Sequence, residues 1–468
     1  MAHADLASSE NGMAEQIRSL VDARLETTLE QLTALARIPS VSWPSFDQTR
    51  VQASADAVAA HLRALDFFES VEIVREPTDA GDLGQPAVIA RREPRHGAPT
   101  VLLYAHHDVQ PPGDLAVWES EPFEPVRRGD RLFGRGVADD KAGIVVHLES
   151  LRLLGELVPE SDLGVVVFIE GEEEYGSPSF SNTLAAHRDS LASDVIIVAD
   201  SGNWTTEIPA LTVSLRGNAT VKVTVRTLDH ALHSGMFGGV VPDAMLVLTK
   251  LLGRLHDDEG NVLVPGLDAR EHPTPEFSEE RLRDESGLLP GVAPIGEGDF
   301  LARLWNHPAI SVIGLDMPAT SEASNTLIPS VSAMVSLRVA PGQNAAEAAR
   351  ALTDFLCAEP PFGAEVSCEI KGTGAAFAMN AASPVVDLAR DAMTSVWGVE
   401  PVDMGVGGSI PFIAEFVEAF PGATVLVTGV EDPDSRAHSP NESLHIPSFA
   451  KGIASQTHFL RALSEHRS

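Results

Sequence analysis

TVLLYAHHDVQPPG (residues 100–113) and VVVFIEGEEEYGS (residues 165–177) decide how this chain is read, because each runs an apolar stretch of strand length straight into titratable side chains. Further short apolar runs lie at 71–74, 87–90 and 194–199, interleaved with helical periodicity at 54–65 and 141–154. Strands alternating with helices predict an α/β layer with a mainly parallel sheet. In such sheets the groups that follow the carboxyl ends of the strands are where sites are built.

Working outward, Ile17, Leu20, Val21, Leu25, Leu29, Leu32, Leu35 and Ile38 recur at helical spacing, predicting an amphipathic helix over about 14–37 that ends near Pro39. The pattern changes near Pro209, after which LTVSLRG and TVKVTVRT read as two strands followed by a helix at 243–255. A strand at 331–339, a helix at 345–357 and a strand at 364–371 complete a βαβ-type set able to fold as its own small domain. Residues 257–310, rich in Pro, Gly and acids, read as an irregular insertion. Beyond 380 the helix–strand–helix pattern returns, so one domain (210–379) is expected inside another (1–209 and 380–468). There is no internal repeat and no low-complexity tract.

Composition narrows the function. Lys+Arg 33 against Asp+Glu 67 gives a formal charge of -34, which repels nucleic-acid phosphates and anionic lipid surfaces. The first residues, MAHADLASSENGMAEQ, have neither a basic nor an apolar leader segment, and no later run is long enough to span a bilayer, so the cytoplasm is the expected location. Cys357 and Cys368 are the only cysteines, expected as reduced thiols, which leaves neither a disulfide framework nor a thiolate metal site.

Several motifs carry chemistry. His106 and Asp108 follow the first quoted strand, where an imidazole can hold a metal and the acid can orient it. Alone, H-x-D is a weak signal. In GRGVADDKAG (134–143), Asp139 and Asp140 open a helix, where acids ordinarily cap free N–H groups. The acids of EGEEEYGS are harder to explain structurally, because like charges at a strand end repel unless a cation compensates them. Asp200 ends another strand and His438 adds a second imidazole. Two neighbouring divalent ions need about five protein ligands plus a free carboxylate as general base. His106, Asp139, Glu174, Asp200 and His438 supply the ligands and leave Glu173 as the base.

YAHHDVQPPG, GRGVADDKAG, EGEEEYGS, VADSGNW, LHSG, SLRVAPG, GGSIP and AHSPNE resemble, in order and over nearly the whole chain, the motif series of the two-metal metallopeptidase family of carnosine dipeptidases, aminoacylases, carboxypeptidase G and succinyl-diaminopimelate desuccinylase. The HHDVQP form, Asp at position 200 and the long insertion resemble the carnosinase-like dipeptidases most. The resemblance implies one ion on His106, Asp139 and Asp200 and another on Asp139, Glu174 and His438, with Asp139 bridging and the Asp139–Asp140 peptide cis. Zinc is the implied metal, with manganese and cobalt as alternatives. Glu173 is implied as the base acting on a metal-activated water, with Asp108 behind His106. The inserted domain is implied to be a ferredoxin-like α+β lid through which two copies dimerise, His233 reaching the neighbouring subunit's site to stabilise the oxyanion. Arg338, read as following a strand, offers a planar fork to a substrate carboxylate, and Asn325, Gly408 and Ser409 are implied substrate contacts.

The function expected is hydrolysis of short peptides with a free C-terminal carboxylate. An N-acyl-amino-acid amidohydrolase would use the same metals and differ in the pocket for the acyl group. A binding protein that has lost its chemistry would be expected to lack a ligand or the base, and none is missing.

Overall fold

The computed structural model describes residues 2–270, 274–380, 382–408 and 411–465. The chain packs as two compact units, one formed by Met1–Val213, Met379–Met404 and Glu415–Ser468, the other by Ser214–Ala378 and Gly405–Ala414.

In the first unit the sheet order is Ser70–Val74, Ala87–Arg92, Gly164–Glu170, Thr100–His106, Val195–Val198, Thr424–Val427 and Ala210–Leu215. The four strands from Gly164–Glu170 to Thr424–Val427 run parallel, and those at either edge pair antiparallel. Every residue of Thr100–His106 and Gly164–Glu170 is buried, as strands covered on both faces require. Alternate residues serve different faces. Val101, Leu103, Val165 and Val167 join a core with Ile144, Leu148 and Leu151 of helix Lys141–Leu157 and with Phe449, Ile453 and Leu460 of helix Ile446–Glu465. The intervening Tyr104 and Phe168 pack instead with Phe180 and Phe416, at centroid distances between 5.1 and 6.4 Å.

The first helix spans Ala2–Ala36, a longer element than its apolar periodicity indicated. Helix Lys141–Leu157 begins where the acids of GRGVADDKAG end, yet Asp140 at its N-cap makes no side-chain cap bond, so capping does not explain these acids.

The second unit pairs Ala309–Leu315, Ser330–Val339, Gly217–Arg226 and Glu365–Gly374 in that order, all antiparallel. Helices Ala244–Leu252 and Ala345–Cys357 complete a βαββαβ chain order, the ferredoxin-like arrangement. Here the strands alternate, with Ala219, Val221, Val223 and Val225 buried with Val247, Leu251, Ala348 and Leu352, while Asn218, Thr220, Lys222 and Thr224 keep partial exposure. Alternation of this kind belongs to a sheet with one face on the core and one toward water. The stretch 257–310 is more regular than its composition suggested. It holds helices Glu279–Ser286 and Phe300–Trp305, whose N-caps Ser278 and Asp299 accept from Arg281 N (3.1 Å) and Ala302 N (2.8 Å). Arg338 lies inside Ser330–Val339, opposite Asn218 and Ala309, rather than beyond its end. No described helix is long and apolar enough to cross a membrane.

His147 shows how the first core depends on pH. Its Nε2–H donates to the Tyr104 carbonyl at 2.9 Å, and Nδ1 accepts from Gln456 Nε2 at 2.9 Å. Burial pushes its pKa down to about 4 from an ordinary 6.5. The unfolded chain therefore takes up this proton at a higher pH than the folded one, and stability from this group is lost as pH falls from about 6.5 toward 4. Between pH 7 and pH 5 the loss should be about 2 kcal/mol. In denaturant unfolding at both pH values, His147→Gln should lose less stability than wild type by about that amount, and equal losses would contradict the linkage.

Candidate metal centre

Because the central strands are parallel, their carboxyl ends open on one edge of the sheet, and His106 and Asp200 arise there. Glu173 and Glu174 sit in the short helical turn Glu173–Tyr175 just after Gly164–Glu170. The turn is held by Asp108, whose Oδ1 and Oδ2 accept from the Glu173 and Glu174 N–H groups, each at 3.1 Å, and whose Oδ2 also accepts from Ser42 Oγ at 2.7 Å. The peptide between Asp139 and Asp140 is cis.

These elements converge on one cluster. Asp139 Oδ1 lies 3.0 Å from His106 Nε2, and its other oxygen, Oδ2, lies 3.0 Å from His438 Nε2. Glu174 Oε2 is 3.2 Å from the same His438 nitrogen. Asp200 Oδ1 and Glu173 Oε2 stand 3.9 Å and 4.0 Å from His106 Nε2. Two donor groups, His106 with Glu173 and Asp200 and His106 with Asp139 and Glu174, keep their ligand atoms within 4.8 Å of one another. The nearest partner of His106 Nδ1 is the Asp108 main-chain carbonyl at 3.1 Å, with the Asp108 carboxylate at 3.4 Å. With a metal bound, a proton held on Nδ1 by that carbonyl would leave the Nε2 lone pair as the ligand.

The electrostatics fit a cation. Burial would raise the Asp139 pKa, but hydrogen bonds to His106 and His438 hold it below the usual carboxylate range. Burial and then the charge of Asp200 push Glu173 well up, and burial and then Asp139 raise Glu174. Burial lifts Asp200 to about 7, with His106 pulling it down and Asp139 pushing it up. His438 is raised to about 11 by its hydrogen bonds to Asp139 and Glu174. So many buried acids are costly without positive charge. Nitrogen and oxygen donors without a thiolate suit zinc, manganese or cobalt. Asp140 Oδ1, buried beside the cluster, also has no hydrogen-bond partner.

The residues read as substrate contacts belong to the second unit. His233 Nδ1 accepts from Gly235 N at 3.0 Å, and Asn325 O accepts from Ser234 N at 2.9 Å, so these two motifs are neighbours. Arg338 has no acidic partner among the described residues. Gly408 lies in a bend after strand Val402–Val406, and Ser409 falls outside the described residues.

Sequence reading missed the support behind the cluster. Buried Glu442 accepts from Arg135 Nη1 (2.6 Å) and from the N–H groups of Gly136 (3.0 Å), Ala138 (2.9 Å) and Asp139 (3.2 Å), fixing the loop that presents Asp139. Gln110 donates to Glu174 through Nε2 at 2.7 Å and through its N–H at 3.0 Å. Glu442 closes the AHSPNE motif, so it was in view, but only the backbone path could pair it with Arg135.

Leaving Arg135 buried without its partner should cost about 3 kcal/mol, and loosening the Asp139 loop should weaken metal binding by about 10- to 100-fold. Glu442→Gln is therefore expected to show both losses in denaturant unfolding and zinc titration. Unchanged values would assign the loop's geometry to other contacts.

The sequence profile of the Peptidase family M20/M25/M40 matches residues 102–462. The cysteinylglycine-S-conjugate dipeptidase of Corynebacterium striatum is 35% identical over 410 residues, 86% of this chain and 88% of that protein. The beta-Ala-His dipeptidase of Mus musculus is 26% identical over 485 residues, 99% and 98% of the two chains. Among solved structures, the di-peptidase Dug1p from Saccharomyces cerevisiae superposes with a TM-score of 0.76 at 25% identity, covering 97% of this chain and 99% of that one.

Proposed function

The chain belongs to the Peptidase family M20/M25/M40, and on that premise we propose that it is a metal-dependent dipeptidase acting on short peptides with a free C-terminal carboxylate. The observation that carries this reading is Asp139, whose two oxygens each lie 3.0 Å from a different imidazole, the disposition of a carboxylate shared between two cations. His106, Asp139 and Asp200 would hold one ion and Asp139, Glu174 and His438 the other. Zinc is favoured by the donor set, with manganese and cobalt as alternatives. When bound, such ions polarise a carbonyl and lower the pKa of water.

The remaining work falls to this chain's own residues. Glu173, held by the bond from its N–H to Asp108, takes a proton from the attacking water and passes it to the leaving amine. Asp108 also fixes the His106 ring. His233 would donate to the oxyanion in the site of a second subunit of a homodimer formed through the second unit, which acts as the lid. Arg338 would receive the substrate carboxylate, with Asn325, Gly408 and Ser409 as further contacts. The peptides named for the relatives, a cysteinylglycine S-conjugate and beta-Ala-His, support the dipeptide class.

An N-acyl-amino-acid amidohydrolase is the competing reading, and turnover separates the two. The zinc-loaded enzyme should hydrolyse Cys-Gly or β-Ala-His with kcat/KM at least about tenfold above N-acetyl amino acids, since a pocket built around an amine penalises its absence. Glu173→Gln should lower kcat about 100- to 10000-fold with metal content unchanged. Faster N-acetyl turnover would favour the amidohydrolase, and lost metal in Glu173→Gln would make Glu173 a ligand.

The trans role of His233 has its own test. Mixing His233→Ala chains with Glu173→Ala chains should create heterodimers in which one site has both the base and the oxyanion donor, so activity should return. Loss of one such donor costs about 100- to 1000-fold, which leaves ample range for recovery. Subunit exchange shown by tagged pull-down without recovered activity would refute the assignment.

A further inference from the structure

Within the second unit, the stretch 257–310 helps enclose a cavity of about 670 Å³, inside the range of roughly 300–1,000 Å³ usual for small-molecule sites. No Asp or Glu lines it, although acids outnumber Lys and Arg 67 to 33 in the chain. Its polar lining includes Arg216 and His307. Arg216 is only 8% exposed, and its guanidinium is held by carbonyls alone: Nε donates to Gly407 O at 3.2 Å, and Nη1 to Arg303 O at 3.4 Å and His307 O at 3.3 Å. Its Nη2 passes so near Gly407 that a Cβ there would sit 2.8 Å away. Carbonyl dipoles orient a guanidinium without neutralising it, and no carboxylate among the described residues forms an ion pair with it. Burial, and then the charge of Arg338, lower its pKa to about 10. His307 Nε2 is likewise buried without a hydrogen-bond partner.

The rest of the wall is apolar, including Leu288, Val292, Ile295 and Phe300. Val292 and Ile295 are 46% and 69% exposed. Large apolar side chains left to water beside a cavity mark a surface meant to be covered. A buried uncompensated cation and an uncovered apolar wall lining one cavity specify a complementary ligand.

We propose that this cavity binds an organic carboxylate bearing an apolar chain, the carboxylate received by Arg216 and His307 and the chain lying along Leu288, Val292 and Ile295. A guanidinium that merely tied three loops together would require neither the acid-free lining nor the unpaired imidazole. The cavity shares no residue with the candidate metal ligands, which all lie in the first unit, nor with the proposed substrate contacts Arg338, Asn325 and Gly408.

Calorimetric titration of sodium octanoate into the full-length, metal-loaded protein tests it, with octanamide as the uncharged control. Octanoate should bind saturably at one site per chain and at least about tenfold more tightly than octanamide, the margin of a charge-assisted contact. Arg216→Gln should remove that margin. Because Arg216 is buried, Val292→Glu provides a surface variant that keeps the fold: its acid at the mouth should weaken octanoate about tenfold with Tm unchanged. Absent saturable binding, equal binding of octanamide, or unaltered octanoate affinity in Val292→Glu overturns the proposal. If octanoate fails to bind while Val292→Glu changes the sedimentation mass, the apolar wall belongs to a second copy of the chain.

Discussion

Asp139 and three further carboxylates crowd together with two imidazoles, and the cost of burying that much like charge is the constraint to which the first unit is built. In water such acids would separate. Here they are held in place from behind: Asp108 fixes the Glu173–Glu174 turn through two N–H groups, and Glu442 fixes the Asp139 loop through three. Arg135 balances Glu442 behind the loop, which leaves the front of the cluster acidic. A framework that spends buried hydrogen bonds to keep acids together is intelligible when a cation supplies the missing charge.

The same region is tied into the fold by its neighbour in sequence. Buried Lys141 donates to the carbonyls of Leu35 at 3.0 Å and Ile38 at 2.6 Å, at the end of the first helix, where positive charge is favoured. One residue beyond the two adjacent acids, a cation thus satisfies the exit of a helix more than a hundred positions earlier in the chain. Burial lowers its pKa to about 7 despite the opposing pull of Asp108 and Glu442.

What was legible in the sequence follows from the range of the interactions. His106, Asp139, Glu173, Glu174, Asp200 and His438 could be picked out because each directly follows an apolar strand or sits in a motif with Gly or Pro beside it, and these are local signals. Part of the second unit was legible for the same reason, since alternation along Gly217–Arg226 and helical periodicity along Ala345–Cys357 are properties of short segments, whereas strand Ala309–Leu315 was not read and LTVSLRG pairs in the first unit's sheet instead. Glu442 with Arg135, and Lys141 with Leu35, were not, because the partners lie 307 and 106 residues apart in the chain. The helices within 257–310 were masked by composition: Glu279–Ser286 is polar along nearly its whole length and owes its start to the Ser278 cap rather than to an apolar stripe.

Under the proposed function, charge would assign different tasks to the two units. A peptide carboxylate is repelled by an acidic cluster. Recognition of the anionic end of a proposed substrate therefore calls for positive charge from elsewhere in the chain. In the proposed function Arg338, inside strand Ser330–Val339 and without an acidic partner among the described residues, would supply it, while Arg216, beside strand Gly217–Arg226, serves the separate cavity proposed above. In a chain of net charge -34, two unpaired guanidiniums close enough for one to lower the pKa of the other are kept against both repulsion and the ready supply of carboxylates. Their lack of carboxylate partners among the described residues agrees with the anion-binding roles proposed for them.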